Sequence, residues 1–384
     1  MLKQNHRAWL EIDLTALSHN VQQFKAQLNH TTELMAIVKA DAYGHGAIEV
    51  SQVAIAAGAT WLGVATIPEG IQLRCAGITA PILILGATNG VDEIKAIAEY
   101  RLQPTICNPK QALIYHEVLA TTGETVPVHL KIDTGMTRLG VNWQEAIAFV
   151  QLVNHLPNLA IQSIYSHFAT ADDSDRTFMD LQAQRFQQVM HELAHQGISA
   201  RSHICNTAGM LSDRHLHADM VRIGLGLYGL YPAPHLKPLI KLRPALTVKA
   251  RVTQVKQISA GTSISYGRSF IAPKDMTIAI VAIGYADGVP RGLSNRIQVA
   301  IDGQKVSQLG TITMDQCAID VTNIANVNVG DVVTFLGGDS GNTADDWANL
   351  LGTISWEVLC GFKHRLPRIN QKLEAVQSTA SISN

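Results

Sequence analysis

From residue 10 to about 240, short apolar runs alternate with stretches whose apolar positions recur at helical spacing. "LMAIVKA" (34–40) precedes a helical stretch near 47–57. "WLGVAT" (61–66) precedes "IPEGIQLRCAG", where Pro68 opens a helix and Gly77 closes it. The rhythm continues through "PILILGA", "LQPTIC", "VPVHLKID", "IQSIYSHFA", "ARSHICNT" and "MVRIGLGLYGL", which makes eight predicted strands. Strands that are apolar at successive positions are buried on both faces, as in a parallel sheet covered by helices. Eight strand–helix units over roughly 230 residues predict an α/β fold of the TIM-type (β/α)8 barrel class.

After Pro244 the pattern changes. "ALTVKARVTQVKQIS", "MTIAIVAIGY", "RIQVAIDGQKVSQLG", "QCAIDVT" and "DVVTFLGG" read as strands joined by Gly, Asp and Asn turns. One helical patch returns at "TADDWANLLGTISWEVLCG". The expected organisation is a barrel over 10–240 and a mainly β domain over 241–384, joined by an N-terminal strand from within 1–12. The last residues, "EAVQSTASISN", read as a frayed tail.

Composition narrows the partners. The chain has 384 residues, 47% of them apolar, enough for sizeable cores, and a formal charge of −1. No bulk field draws it to nucleic acid or a membrane surface, so a small molecule is the expected partner. The N-terminus has no long apolar h-region and no later run approaches a membrane span, which predicts a cytoplasmic protein. Five scattered cysteines without a CxxC pair read as reduced thiols, and no metal centre is expected.

In a barrel of this class, reactive groups sit at the C-terminal ends of the strands. Those ends carry Lys39 after the first strand, then Lys131, Asp133 and Arg138 around the fifth. His167 follows on the sixth, His203, Asn206 and Thr207 on the seventh, and Arg222, Gly224 and Gly226 on the eighth. The set is cationic and suits a phosphate better than a divalent metal, which would call for clustered carboxylates. Glycines after Arg222 would let backbone N–H groups approach a phosphate closely, and "NTAG" adds a hydroxyl and helix N-terminal donors. Taken singly, "GLGLYG" reads equally as close strand packing and His203 as a core histidine. A strand-end lysine together with such a cradle describes a Schiff-base lysine for pyridoxal 5'-phosphate (PLP).

"AIVKADAYGHG" resembles the cofactor-lysine motif of the alanine racemases. "HLKIDTGMTRLG" (129–140), "YSHFATAD" (165–172), "VRIGLGLYGL" (221–230), "SYG" (265–267), "GYADG" (284–288) and "TMDQ" (313–316) follow in that family's order and spacing. The resemblance implies a PLP-carrying barrel, a C-terminal β domain and a head-to-tail homodimer whose subunits complete each other's active sites. It implies interconversion of L- and D-alanine, the latter for peptidoglycan. Lys39 would carry the cofactor. Tyr43, Thr207, the Gly224 and Leu225 backbone and Trp356 would hold its phosphate. Arg222 would face the pyridine nitrogen, His167 would bond Arg222, and Arg138 would contact the cofactor and the substrate carboxylate. Tyr266, Tyr285, Asp315 and the Met314 backbone would arrive from the second subunit. Lys131 would be carbamylated, giving an anion that orients Arg138. The reading from the residues alone pairs Lys131 with Asp133.

Racemisation removes a proton from one face of Cα and returns one to the other, so two bases on opposite faces suffice, here Lys39 and Tyr266. An arginine opposite the pyridine nitrogen does not give up its proton. The ring nitrogen then stays unprotonated, which favours simple reprotonation at Cα. The chain departs from the family pattern at Thr207, where many relatives have serine, and at Trp356, where many have tyrosine. Two alternatives stand beside alanine racemisation. One is a broader racemase of serine or other small amino acids; the other is a non-catalytic PLP-binding protein, which would have no use for "SYG" and "TMDQ" in a second domain.

Overall fold

The computed structural model describes residues 6–371, so residues 1–5 and the expected tail lie outside the described residues. Among the described residues the chain packs as two units: Leu17–Ala42 with Gly46–Arg243, and residues 6–16 with Tyr43–His45 and residues 244–371.

In the first unit, the parallel strands run Glu33–Ile37, Trp61–Val64, Ile82–Ala87, Gln103–Ile106, Val126–Asp133, Leu159–Tyr165, Arg201–His203 and Met220–Ile223. The first seven pair each with the next in sequence, and the eighth pairs back onto the first, with Arg222 level with Met35. The seventh and eighth strands meet through Arg222 N–H donating to the Cys205 carbonyl at 3.0 Å. Among the described residues this is a nearly closed eight-strand barrel, as the apolar runs predict. Leu34, Met35, Ala36, Leu62, Val64, Ile82, Leu83 and Ile84 are all fully buried, so these strands have no solvent face. The helices between them carry local stop and start signals. Ile67–Cys75 begins at Thr66, whose N–H donates to Glu69 Oε2 at 3.1 Å in a capping box. Pro109–Ala120 begins at Asn108, whose side chain accepts from Gln111 N–H at 2.8 Å.

The first barrel strand ends in an unusual turn. Ala40, Asp41 and Ala42 have φ of 53°, 52° and 52° with ψ near 50°, and Tyr43 has φ of 54°. Four successive non-glycine residues thus wind left-handed, at roughly 1–2 kcal/mol per residue. Glu69 Oε1 accepts the Ala40 N–H at 2.7 Å and Asp41 Oδ1 accepts the Ala47 N–H at 2.9 Å, which hold the turn.

In the second unit, among the described residues, the sheet order is Met276–Val281, Cys317–Asp320, Gln304–Leu309, Gln298–Ile301, Val332–Leu336, Leu246–Ile258, Ala8–Asp13, Arg368–Gln371. The long strand Leu246–Ile258 also pairs with Met276–Val281, through a register shift between Val252 and Gln254 that bends it from one neighbour to the other. Ala8–Asp13 joins this sheet antiparallel to Leu246–Ile258, with Leu10 opposite Val248. Ile264, Met276, Ile278, Leu309 and Ala318 form a buried cluster on one of its faces. Two helices follow, Ala344–Leu351, capped by Thr343 and ended by left-handed Gly352, and Ser355–Cys360.

Candidate active site

At the mouth of the barrel unit the strand ends bring several cationic side chains to one place. Lys39 is half-buried directly after the first strand, where Val38 N–H donates to the Gly63 carbonyl at 2.9 Å. His167 is the common neighbour. Burial, then the charges of Arg222, Lys131, Arg138 and Lys39, hold its pKa well below the usual histidine range, so the ring is neutral. Arg138 itself is solvent-exposed.

Arg222 is the centre of the set and is 3% exposed. Its Nη2 donates to the Ser166 carbonyl at 2.8 Å, the Ile204 carbonyl at 3.0 Å and His167 Nδ1 at 3.0 Å, while Nη1 donates to His203 Nδ1 at 2.7 Å. Among the described residues no carboxylate pairs with it, and burial lowers its pKa to about 10. It remains a cation at neutral pH. His203 is fully buried, held neutral by burial and by Arg222, and stacks on Tyr165 with ring centroids 4.7 Å apart.

Lys131 is 7% exposed, and its Nζ lies 4.2 Å from the centre of the Tyr165 ring. Burial, Arg222 and Arg138 together push its pKa well down, so the neutral amine is favoured. Asp133 does not answer it: among the described residues no ion pair joins the two, and Asp133 Oδ1 instead accepts Gly135 N–H at 2.9 Å and Thr137 N–H at 3.0 Å. Pairing within "KID" is thus replaced by a turn clamp. Gly140 at φ 107° lies against Lys131, where an added Cβ would stand 2.8 Å from the lysine Cγ.

Thr207 opens the short helix Thr207–Ser212, and its hydroxyl accepts the Gly224 N–H at 3.1 Å. Gly226 is fixed by close packing, since a Cβ there would meet the Phe24 ring at 2.3 Å. The backbone at Gly224 and Leu225 and the Thr207 hydroxyl are therefore neighbours, as a shared anion would require.

The remaining candidates belong to the second unit. Tyr266 is 72% exposed on the turn Tyr266–Arg268, and its carbonyl accepts the Thr311 hydroxyl at 2.8 Å. Tyr285 N–H donates to the Thr313 carbonyl at 3.0 Å and Ala286 N–H to the Met314 carbonyl at 3.0 Å, so the 284–288 and 311–316 segments form one platform. Gly284 makes this approach possible: a Cβ there would stand 2.2 Å from the Thr313 oxygen. Tyr285 and Met314 present exposed side chains on it. Asp315 pairs with Arg365, whose Nε also lies 3.5 Å from Asp287. Tyr43 packs with this unit; its phenol is buried, which raises its pKa. Trp356 is half-buried on the helix Ser355–Cys360.

Two further participants lie inside quoted motifs without being singled out by the sequence. Tyr165 underlies Lys131, Arg222 and His203, with its hydroxyl 2.7 Å from Thr105 Oγ1. Asp287, with no exposed side-chain surface, is bidentate to Arg7 at 2.6 and 3.0 Å and accepts Gly284 N–H at 3.1 Å. It lies inside the quoted "GYADG" motif, but its partner Arg7 is 280 positions away.

The family model for the alanine racemase N-terminal domain matches residues 12–232, and that for the alanine racemase C-terminal domain matches 245–370. The alanine racemase of a Nostoc species is 59% identical over 370 residues, covering 95% of this chain and 96% of that one. That of a Synechocystis species is 55% identical over 372 residues, covering 96% and 100%. Among solved structures, an alanine racemase of Clostridium difficile superposes with a TM-score of 0.91 at 35% identity, over 95% of this chain and 96% of that one. One from Bacillus anthracis with bound L-Ala-P gives 0.90 at 34%, over 96% and 95%.

Proposed function

Because the chain belongs to the alanine racemase family, we propose that it interconverts L- and D-alanine with PLP as its cofactor. The observation that carries this reading is Arg222, a buried guanidinium bonded to two neutral histidines and two carbonyls at the barrel mouth. The residues present fit PLP. Lys39, Lys131, Arg138 and Arg222 surround His167, and among the described residues no group of three His, Cys, Asp or Glu side chains could hold a metal instead. When bound, PLP supplies a ring that withdraws electrons from the substrate's Cα and so acidifies its proton.

The chain's own residues supply the rest. Lys39 holds the cofactor and moves the proton on one face of Cα, and Tyr266 from a second copy moves it on the other. Arg222, a permanent donor, would face the pyridine nitrogen and leave it unprotonated. Thr207, Tyr43, Trp356 and the Gly224 and Leu225 backbone hold the phosphate. Arg138 and the Met314 backbone orient the substrate, with His167, His203, Tyr285 and Asp315 in support. Lys131, a buried lysine favoured as the free amine, would add to carbon dioxide with loss of one amine proton to solvent, and the resulting carbamate would orient Arg138. The working form in this reading is a cytoplasmic homodimer, with the barrel over 10–240 and the β domain over 241–384. Its product, D-alanine, serves peptidoglycan. No helix of the described residues is long and apolar enough to cross a membrane.

Borohydride reduction followed by peptide mapping tests the site. The pyridoxyl group should be found on Lys39, and Lys39→Ala should lose both label and racemisation. The label on another lysine would overturn the assignment. A panel including serine, run on wild type and Trp356→Tyr, reads the substrate range. Mixing Lys39→Ala with Tyr266→Phe chains should restore activity if the sites are shared.

A further inference from the structure

A file of buried polar groups leads away from Arg222 through the barrel. Arg222 Nη1 is 2.7 Å from His203 Nδ1, and His203 Nε2 is 2.8 Å from Ser163 Oγ. Ser163 Oγ is 2.5 Å from His129 Nδ1, and His129 Nε2 is 2.9 Å from Gln103 Oε1. Four strands contribute before the file reaches Arg222 on a fifth. His203, Ser163 and His129 are each 0% exposed.

The donor sense of every link follows from one end. A guanidinium donates and never accepts. His203 Nδ1 must therefore accept, which leaves its single ring proton on Nε2. That proton goes to Ser163 Oγ, whose own hydrogen, with no other partner among the described residues, points to His129 Nδ1. His129 in turn carries its proton on Nε2 and donates to the Gln103 carbonyl. A second proton on His203 would set donor against donor at Arg222, and one on His129 would leave the buried Ser163 hydrogen without an acceptor. Burial acts in the same direction, holding both histidines neutral.

We propose that Gln103, His129, Ser163 and His203 are positioning residues for Arg222, acting as a one-way hydrogen-bond relay that fixes both imidazoles as Nε2–H tautomers. The relay stiffens the guanidinium at the end remote from solvent and offers it an acceptor that carries no negative charge. Its value to catalysis rests on the reading of Arg222 as the group facing the pyridine nitrogen.

Histidine-labelled holoenzyme and two-bond proton–nitrogen NMR test the wiring separately from turnover. Both rings should show protonated Nε2 and bare Nδ1 from about pH 6 to 9, spanning the ordinary histidine range. Ser163→Ala should shift the signals of both rings and lower kcat roughly tenfold with KM within about twofold. Ser163→Thr, which keeps the hydroxyl, should restore both. A proton on either Nδ1 overturns the relay even if the enzyme is fully active. Correct tautomers with no racemisation would instead overturn the functional reading. Equal impairment of the alanine and threonine variants would reduce Ser163 to packing and overturn its positioning role.

Discussion

Acidification should weaken the fold through His129 in a way that can be isolated. The ring is fully buried, edge-on to Trp61 with centroids 5.4 Å apart and hydrogen-bonded at both nitrogens. Burial, helped by the charge of Arg201, holds its pKa down from 6.5 to about 3. The native ring thus stays neutral at pH values where the same ring in the unfolded chain takes up a proton. Stability falls wherever the unfolded state binds more protons and the pH is lowered, so the loss begins near 6.5 and ends near 3. Each unit is worth about 1.4 kcal/mol, so between neutrality and about pH 4 His129 alone removes roughly 3 kcal/mol. His203 and His167 are shifted in the same direction and add to the slope. Urea unfolding of the apoprotein at a series of pH values, for wild type and His129→Asn, reads the difference. The variant should be less stable at neutral pH, yet its curve should be flatter by roughly 3 kcal/mol over that range. Parallel curves would show that His129 is not a neutral buried ring and would refute the reasoning.

Asp287→Ala should cost about 2–4 kcal/mol, since Arg7 and the Gly284 N–H lose their buried acceptor. Arg7→Ala strands the same carboxylate, so the double variant should be less damaged than the sum by about 1–3 kcal/mol, and additive losses in urea unfolding would deny the coupling. Gly284→Ala should cost about 1–3 kcal/mol by pushing the Tyr285 turn off the Thr313 and Met314 carbonyls. Unchanged melting and unchanged activity would show that the approach is not so close. Gly140→Ala should disturb Lys131 and Arg138 together, seen as a raised KM for alanine, because the added Cβ reaches the lysine stem. A KM like that of the parent would count against it.

The barrel was legible because its strands are buried on both faces, so continuous apolar runs such as "LMAIV" and "PILIL" mark them. Lys131 stood out for the same reason, as a charge inside such a run. His129 in the same strand did not, because an isolated histidine says nothing of its partners. Those partners, Gln103 and Ser163, are 26 and 34 positions away and carry no local signal. Tyr165 was hidden likewise, as one apolar letter among others. The pairing of Lys131 with Asp133 failed because successive odd positions of a strand share a face only while the strand continues, and Asp133 is the residue at which the chain turns. Nothing in "KADAY" marks the reversed hand, since Ala and Tyr have no preference for it. Nor does the sequence reveal that Tyr43–His45 pack with the β unit while the residues on either side pack with the barrel.

The reversed turn after Lys39 also inverts the usual rules of mutational drift. In an ordinary helical turn glycine loosens the chain and alanine is welcome, but at φ near +53° the ranking changes sign. Ala40→Gly should relieve roughly 1 kcal/mol of backbone strain, and asparagine should be tolerated. Valine or isoleucine at 40 or 42, harmless in many helices, should be the most damaging exchanges. Substitutions that relieve the strain also widen the conformations open to the residue that precedes them, and that residue is the lysine. A population of variants selected only for thermal endurance should therefore accumulate glycine at Ala40, while one selected for turnover should keep the strained alanine.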